Sequence, residues 1–128
     1  MRPGAGALPA PPPDPNRRQA PAQVTASHVL VMHRGSERVP GTVTRTRDEA
    51  QTRAREVLRR ARGGEDFAQL ARQFSDEPGA SQSGGALGAF GHGQMVPPFE
   101  QAAFALNVGE ISDVVETSFG FHVIKRTQ

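Results

Sequence analysis

Two kinds of hydrophobic periodicity, and the order in which they follow one another, predict an α+β domain built on an antiparallel sheet. Residues 25–33 (TASHVLVMH) alternate with period two, as a strand does. Later segments space their apolar residues as helices do, and two strand-like runs close the chain. The order is β-ααα-β-β. Strands separated by a helical block belong to α+β domains.

The 128 residues suit one ordinary domain, with 36% hydrophobic and 22% charged residues. No run approaches the length of a membrane-spanning helix. The absence of cysteine excludes disulfides, thiolate metal sites and a thiol nucleophile. The pI of 10.4 reflects arginine, which stays charged at high pH, because the net charge is only +2. Arg2, Arg17 and Arg18 against Asp14 place that +2 in residues 1–23. The remainder is formally neutral and lacks a broad field for phosphate backbones.

Residues 1–23 hold seven of the eleven prolines and almost nothing large and apolar. Such a segment buries too little to offset its ordering entropy, so it is expected to be a disordered, extended tail before a domain at 24–128. In the first strand Ala26, His28, Leu30 and Met32 share one face and Ser27, Val29, Val31 and His33 the other. Large apolar groups on both faces mark a central strand. Arg34–Arg45 is a loop broken by Gly35, Pro40 and Gly41. Thr46–Glu49 has capping-box form, and apolar residues at 50, 54, 57, 58 and 61 make one helical face. Arg59, Arg60 and Arg62 suit its last turn, and Gly63-Gly64 ends it. Asp66 caps a second helix packing through Phe67, Leu70, Ala71 and Phe74. Ser75–Phe90, rich in Gly and Ser, is expected to be mostly loop. Pro97-Pro98 opens a third helix with Phe99, Ala102, Ala103 and Leu106 on one face. Strands at Ile111–Glu116 and Phe121–Thr127 join through Thr117–Gly120.

Four segments carry a further signal: Ser27-His28-Val29-Leu30-Val31; Phe67–Ala71 running into Phe74-Ser75; Gly84–Gly88 with Gly93–Pro97; and Phe119–Ile124. In this order and spacing they resemble the parvulin (PpiC-type rotamase) family of peptidyl-prolyl cis–trans isomerases. The resemblance implies a four-stranded, twisted antiparallel sheet wrapped by helices, with a very short extra strand near Leu87. It implies rotation about Xaa–Pro bonds without metal or organic cofactor. It also implies proline-containing peptides and unfolded or nascent proteins as partners, and a role in protein folding.

By the same resemblance Met95 and Phe99, with Leu87 as a third wall, form the proline pocket. Gln94 contacts substrate backbone and Phe119 floors the groove. His28 and His122 match the family's histidine pair, and Thr117 the hydroxyl that anchors it. Considered singly, Met95 and Phe99 are also ordinary core residues and each histidine an ordinary buried one. The pair has no third ligand at metal spacing, so no metal site is expected. Bacterial members carry Asp in a Ser-x-Asp-Pro motif; Ser75-Asp76-Glu77-Pro78 puts Glu77 there, one methylene longer. Glu77 is the expected active carboxylate, with Asp76 the alternative. Ala86 replaces the family's usual Asp in its Gly-Gly-Asp-Leu-Gly turn. Phosphate-directed members place Lys late in the first strand and an Arg pair in the next loop. This chain has Met32 there, then Arg34, Glu37 and Arg38, so phosphate dependence is not expected.

Two other readings compete: a catalytically weak chaperone or peptide-binding module of the same fold, and a nucleic-acid surface from Arg53, Arg59, Arg60 and Arg62. Glu49 and Glu56 share that helix face, which favours a solvated surface. The expected state is a monomer. The expected location is the cytoplasm in the absence of a leader, or the cell envelope if one was removed.

Overall fold

The computed structural model describes residues 21–128. The predicted disordered tail therefore lies outside the described residues up to residue 20, and its last residue, Gln23, already opens the first strand. The elements are β1 (Gln23–Val31), α1 (Arg47–Arg62), α2 (Phe67–Phe74), α3 (Ala80–Ser83), β2 (Ala86–Gly91), α4 (Pro97–Ala105), β3 (Val115–Thr117) and β4 (Gly120–Arg126). The four strands form an antiparallel sheet in the order β2-β1-β4-β3. β1 and β4 are central, as apolar groups on both faces of β1 predict.

The sheet separates two cores. Val29, Val31, Phe121 and Val123 face α1 and α2, whose Ala50, Ala54, Val57, Phe67, Leu70 and Phe74 cover them. Val24, Ala26 and Ile124 face Phe90 of β2 and Phe99, Ala103 and Leu106 of α4 and its end. Each fully buried side chain of this size is worth roughly 1.5–3 kcal/mol. Helix α1 starts where its sequence says. Thr46 Oγ1 accepts from Glu49 N–H at 3.2 Å, and Glu49 Oε1 accepts from Thr46 N–H at 2.7 Å. Asp66 caps α2 by accepting from Gln69 N–H at 3.0 Å.

Three expectations need correction. First, Ser75–Phe90 is not mostly loop. It holds α3, bounded by Gly79 and Gly84 with left-handed backbones, and then all of the six-residue β2 except its last, Gly91. The element order is therefore β-ααα-β-α-β-β, and the extra strand is longer than expected. Gly85, at φ +84°, carries the chain against β1 so closely that a Cβ would strike the His28 carbonyl oxygen. His28 N–H in turn donates to Gly85 O at 2.9 Å. Second, β1 begins two residues earlier and stops at Val31. Beyond it Met32 N–H goes to Asp76 Oδ2 at 2.9 Å, and Met32 O accepts from Arg45 at 3.0 Å. Third, Ile111–Glu116 is not a continuous strand. Ile111 makes an isolated bridge to Lys125. Ser112 then exchanges main-chain and side-chain bonds with Ile124, its Oγ accepting from Ile124 N–H at 3.0 Å, which interrupts the ladder.

Candidate active site

The central strands bring the two histidines together. Leu30 is opposite His122 and His28 opposite Ile124, so the histidines are diagonal neighbours on one face of the sheet. Their Nδ1 atoms are 3.1 Å apart and their rings lie 17° from parallel. Both are 4% exposed, too little for water to satisfy their nitrogens, so the remaining two nitrogens need protein partners. Thr117 Oγ1 lies 2.7 Å from His122 Nε2, and Glu77 Oε2 lies 3.1 Å from His28 Nε2.

The charge of Glu77 fixes the direction of this four-membered chain. The hydrogen bond from His28 holds the Glu77 carboxyl below the ordinary carboxylate range, with desolvation opposing. An ionised carboxylate only accepts, so a neutral His28 carries its proton on Nε2 and offers Nδ1 as acceptor. His122 then donates from Nδ1 and accepts at Nε2 from the Thr117 hydroxyl. That hydroxyl is free to donate because its oxygen already accepts from Phe119 N–H at 3.1 Å. The opposite direction demands a protonated Glu77.

Glu77 and Asp76 have different surroundings. Asp76 accepts from Met32 N–H and from Arg45, the latter at 2.6 Å. Ser75 Oγ accepts from Leu30 N–H at 3.1 Å and Glu77 N–H at 3.3 Å, while Asp76 N–H donates to Leu30 O at 2.7 Å. These bonds stitch residues 75–77 to the end of β1 and turn Glu77 toward His28.

Beside the histidines lies a groove of about 480 Å³. Leu87, Gln94, Met95, Phe99 and Phe119 line it together with His28, His122 and Glu77. Thr117 stands behind His122, outside the groove. Phe99 is both core and wall. It is 3% exposed, and its ring meets His28 and His122 at 84° and 79° with centroids 5.5 and 5.1 Å away. Met95 is half-buried against the same core. Gln94 has its Oε1 tied to Gly91 N–H at 2.7 Å, which leaves its amide NH2 for a ligand.

The groove also includes residues that the sequence did not assign to it: Leu30, Met32, Arg38, Pro78 and Val96. For Leu30 and Met32 a signal existed, since alternation put them on the His28 face. Arg38, weighed in the sequence only as a phosphate contact, is the one non-glycine described residue with a left-handed backbone, at φ 61°. Among the described residues no three His, Cys, Asp or Glu side chains gather as a metal site.

Burial pushes the His122 imidazole down to about 3, with His28 adding and Glu77 opposing. Its protonated form is thus disfavoured in the fold. The stability contributed is complete above the unfolded value near 6.5 and is lost as pH falls from there toward 3. Between pH 7 and pH 5 this site alone is expected to cost about 2 kcal/mol. Urea unfolding of wild type and His122→Gln at both pH values checks it. The wild type should lose more by that amount, and equal losses refute the assignment.

Comparison with known proteins gives consistent findings. A family model described as a PPIC-type PPIase domain matches residues 15–128. The foldase protein PrsA of Geobacillus kaustophilus is 43% identical over 105 residues, which are 82% of this chain and 31% of that protein. Peptidyl-prolyl cis-trans isomerase Pin1 of Arabidopsis thaliana is 42% identical over 114 residues, covering 82% of this chain and 95% of the relative. The structure of peptidyl-prolyl isomerase ESS1 from Candida albicans superposes with a TM-score of 0.76 at 40% identity, over 84% of this chain and 63% of that one. The chain thus spans about a third of the PrsA relative's length and nearly the whole of the plant Pin1.

Proposed function

Because the chain belongs to the PPIC-type, or parvulin, family of peptidyl-prolyl cis–trans isomerases, we propose that its groove binds prolyl peptides and rotates the Xaa–Pro bond without covalent chemistry. The observation that carries this reading is the apolar groove set directly on the Glu77–His28–His122–Thr117 chain.

Resonance gives an amide a rotational barrier of ~18–20 kcal/mol, and an Xaa–Pro bond turns over in tens to hundreds of seconds unaided. Rotation breaks that resonance, so the transition state is a twisted, less polar amide. Leu87, Met95 and Phe99 hold the prolyl ring and keep water from the amide. Met95, unbranched and flexible, follows the ring as it turns. The Gln94 amide holds peptide backbone and Phe119 floors the groove. Glu77 presents negative charge beside the substrate carbonyl, which disfavours the resonance form that carries negative charge on that oxygen. His28 and His122, each fixing the other's tautomer and anchored by Thr117, keep Glu77 ionised and oriented. A chymotrypsin-coupled or exchange-NMR assay on a short prolyl peptide tests the activity. Peptide binding without accelerated isomerisation supports the chaperone module instead.

The substrates we propose are proline-containing segments of unfolded or nascent proteins, taken up by a monomer that does not use nucleic acid. Five of the six arginines of α1 support the last point. Arg47 pairs with Glu116, Arg59 with Glu56, Arg60 with Glu65 and Arg62 with Asp113. Arg53 lies over the Phe74 ring. Glu49, on the same helix face, serves the capping box as expected. Among the described residues no helix is long and apolar enough to cross a membrane.

Phosphorylation of serine in a Ser-Pro peptide is expected to change kcat/KM by less than about tenfold, equivalent to ~1.4 kcal/mol. Buried Met32 occupies one clamp position, Glu37 is exposed in the loop, and Arg38 lines the groove on an exposed loop. A preference for phosphopeptide of two orders of magnitude contradicts this and assigns Arg38 to a working clamp.

A further inference from the structure

Helix α4 opens on Pro97 and Pro98, neither of which has a backbone N–H. A carboxylate in a first helical turn usually serves donors at its own helix end. Here two of those donors do not exist, and Glu100 sends both oxygens back over the preceding turn. Oε1 accepts from Gly93 N–H at 2.6 Å, and Oε2 lies 3.1 Å from His92 Nδ1. The His92 ring stacks on Phe104 with centroids 4.1 Å apart. The Glu100 side chain is 22% exposed, so this short charge-assisted bond is partly shielded from water. The turn it holds reverses at Gly93, φ +84°, and carries Gln94, Met95 and Val96, three consecutive residues of the groove lining.

We propose that Glu100 is a positioning residue that sets the proline-ring wall: by holding Gly93 it fixes where Met95 stands in the groove it lines with Phe99. The proposal rests on reading the groove as a prolyl-peptide site. Met95 touches the ring in ground state and transition state alike, so loosening it removes uniform binding. The signature of that loss is a raised KM with kcat nearly unchanged. His92 serves only the second oxygen and matters less than Gly93.

The test uses the full chain with Glu100→Ala, Glu100→Met, Glu100→Gln and His92→Ala, a short prolyl peptide, and amide exchange at Gly93. Glu100→Met keeps the side-chain stem over the turn and loses both oxygens, so it serves where the alanine variant does not fold. Removing the oxygens is expected to raise KM about fivefold or more with kcat within about twofold, and to speed Gly93 exchange about tenfold. Glu100→Gln retains an oxygen that accepts from Gly93 N–H and should restore both to within about twofold of wild type, as should His92→Ala. Unchanged KM in Glu100→Met overturns the proposal. So does a fall in kcat as large as the rise in KM, which gives Glu100 a different role. If wild type does not catalyse at all, the functional reading has failed. Peptide Kd then replaces KM, and Gly93 exchange still decides the clamp.

Discussion

Replacing Phe99 by alanine is expected to lower kcat/KM for a prolyl peptide by about a hundredfold, some 2.7 kcal/mol of transition-state stabilisation. The ring does two things at once. It walls the groove, and its face or edge meets both histidines, separating them from the apolar core around Phe90 and Ala103. Truncation opens the slot to water where a less polar amide must form, and it removes packing from the Glu77–His28–His122 chain. The same truncation costs stability. Phe→Ala in a core loses about 3–5 kcal/mol, a large share of a domain's ~5–15 kcal/mol. Activity must therefore be read on protein whose circular dichroism and urea midpoint show it folded. Phe99→Leu, which keeps an apolar wall, separates the effects and should retain most stability and an intermediate rate. A folded Phe99→Ala with native kcat/KM removes Phe99 from the pocket.

The way these residues meet explains what the sequence made legible. Helix α1 was readable because its signals are local: Thr46 and Glu49 cap each other, and the apolar stripe at 50, 54, 57 and 61 is a property of one helix. The central position of β1 was readable because alternation of Val29 and Val31 against Leu30 needs cover on both faces. Strand β2 was not. Ala86–Gly91 has two large side chains, Leu87 and Phe90, and its extended form comes from pairing with β1, Val24 opposite Phe90 and Ala26 opposite Gly88. That is tertiary context deciding a segment with little propensity of its own. The truncation of β3 had a similar cause, since Ser112 competes for the Ile124 main chain.

The site divides along the same line. Residue types and motif order pointed to His28, His122 and the groove residues. The diagonal register that sets Nδ1 against Nδ1 is a property of the β1–β4 pairing and has no local trace. The different surroundings of Asp76 and Glu77 depend on a residue outside the motif. Arg45, placed by sequence in an unstructured loop, engages Asp76 and the Met32 carbonyl together, and so leaves Glu77 to the groove.

Glu77→Gln is expected to reduce kcat by roughly one to two orders of magnitude, the effect of a partly exposed carboxylate acting through an intermediate dielectric. Glutamine keeps the size and still accepts from His28 Nε2–H, so the loss isolates charge. Glu77→Ala removes charge and hydrogen bond and should fall at least as far. Glu77→Asp discriminates between two modes of action. If the charge acts directly on the substrate carbonyl, aspartate should keep or improve the rate. If Glu77 acts only by gripping His28 across 3.1 Å, the side chain shortened by one methylene should lose most of it. The lowered Glu77 pKa adds a pH signature: the carboxylate stays ionised as pH falls through the ordinary carboxylate range, so the acid limb of kcat should lie below that range and vanish in Glu77→Gln. Asp76→Asn serves as the control, and it is not silent. It keeps an acceptor for Met32 N–H but breaks the partly buried pair with Arg45, so it should lower the urea midpoint while leaving kcat within about threefold. Should Asp76→Asn abolish turnover while Glu77→Gln changes nothing, the working carboxylate is Asp76, and the contact between Glu77 and His28 is not part of catalysis. Should neither matter, rotation depends on the apolar grip of Met95 and Phe99 and on the histidine pair alone, and charge in the groove is irrelevant to the barrier.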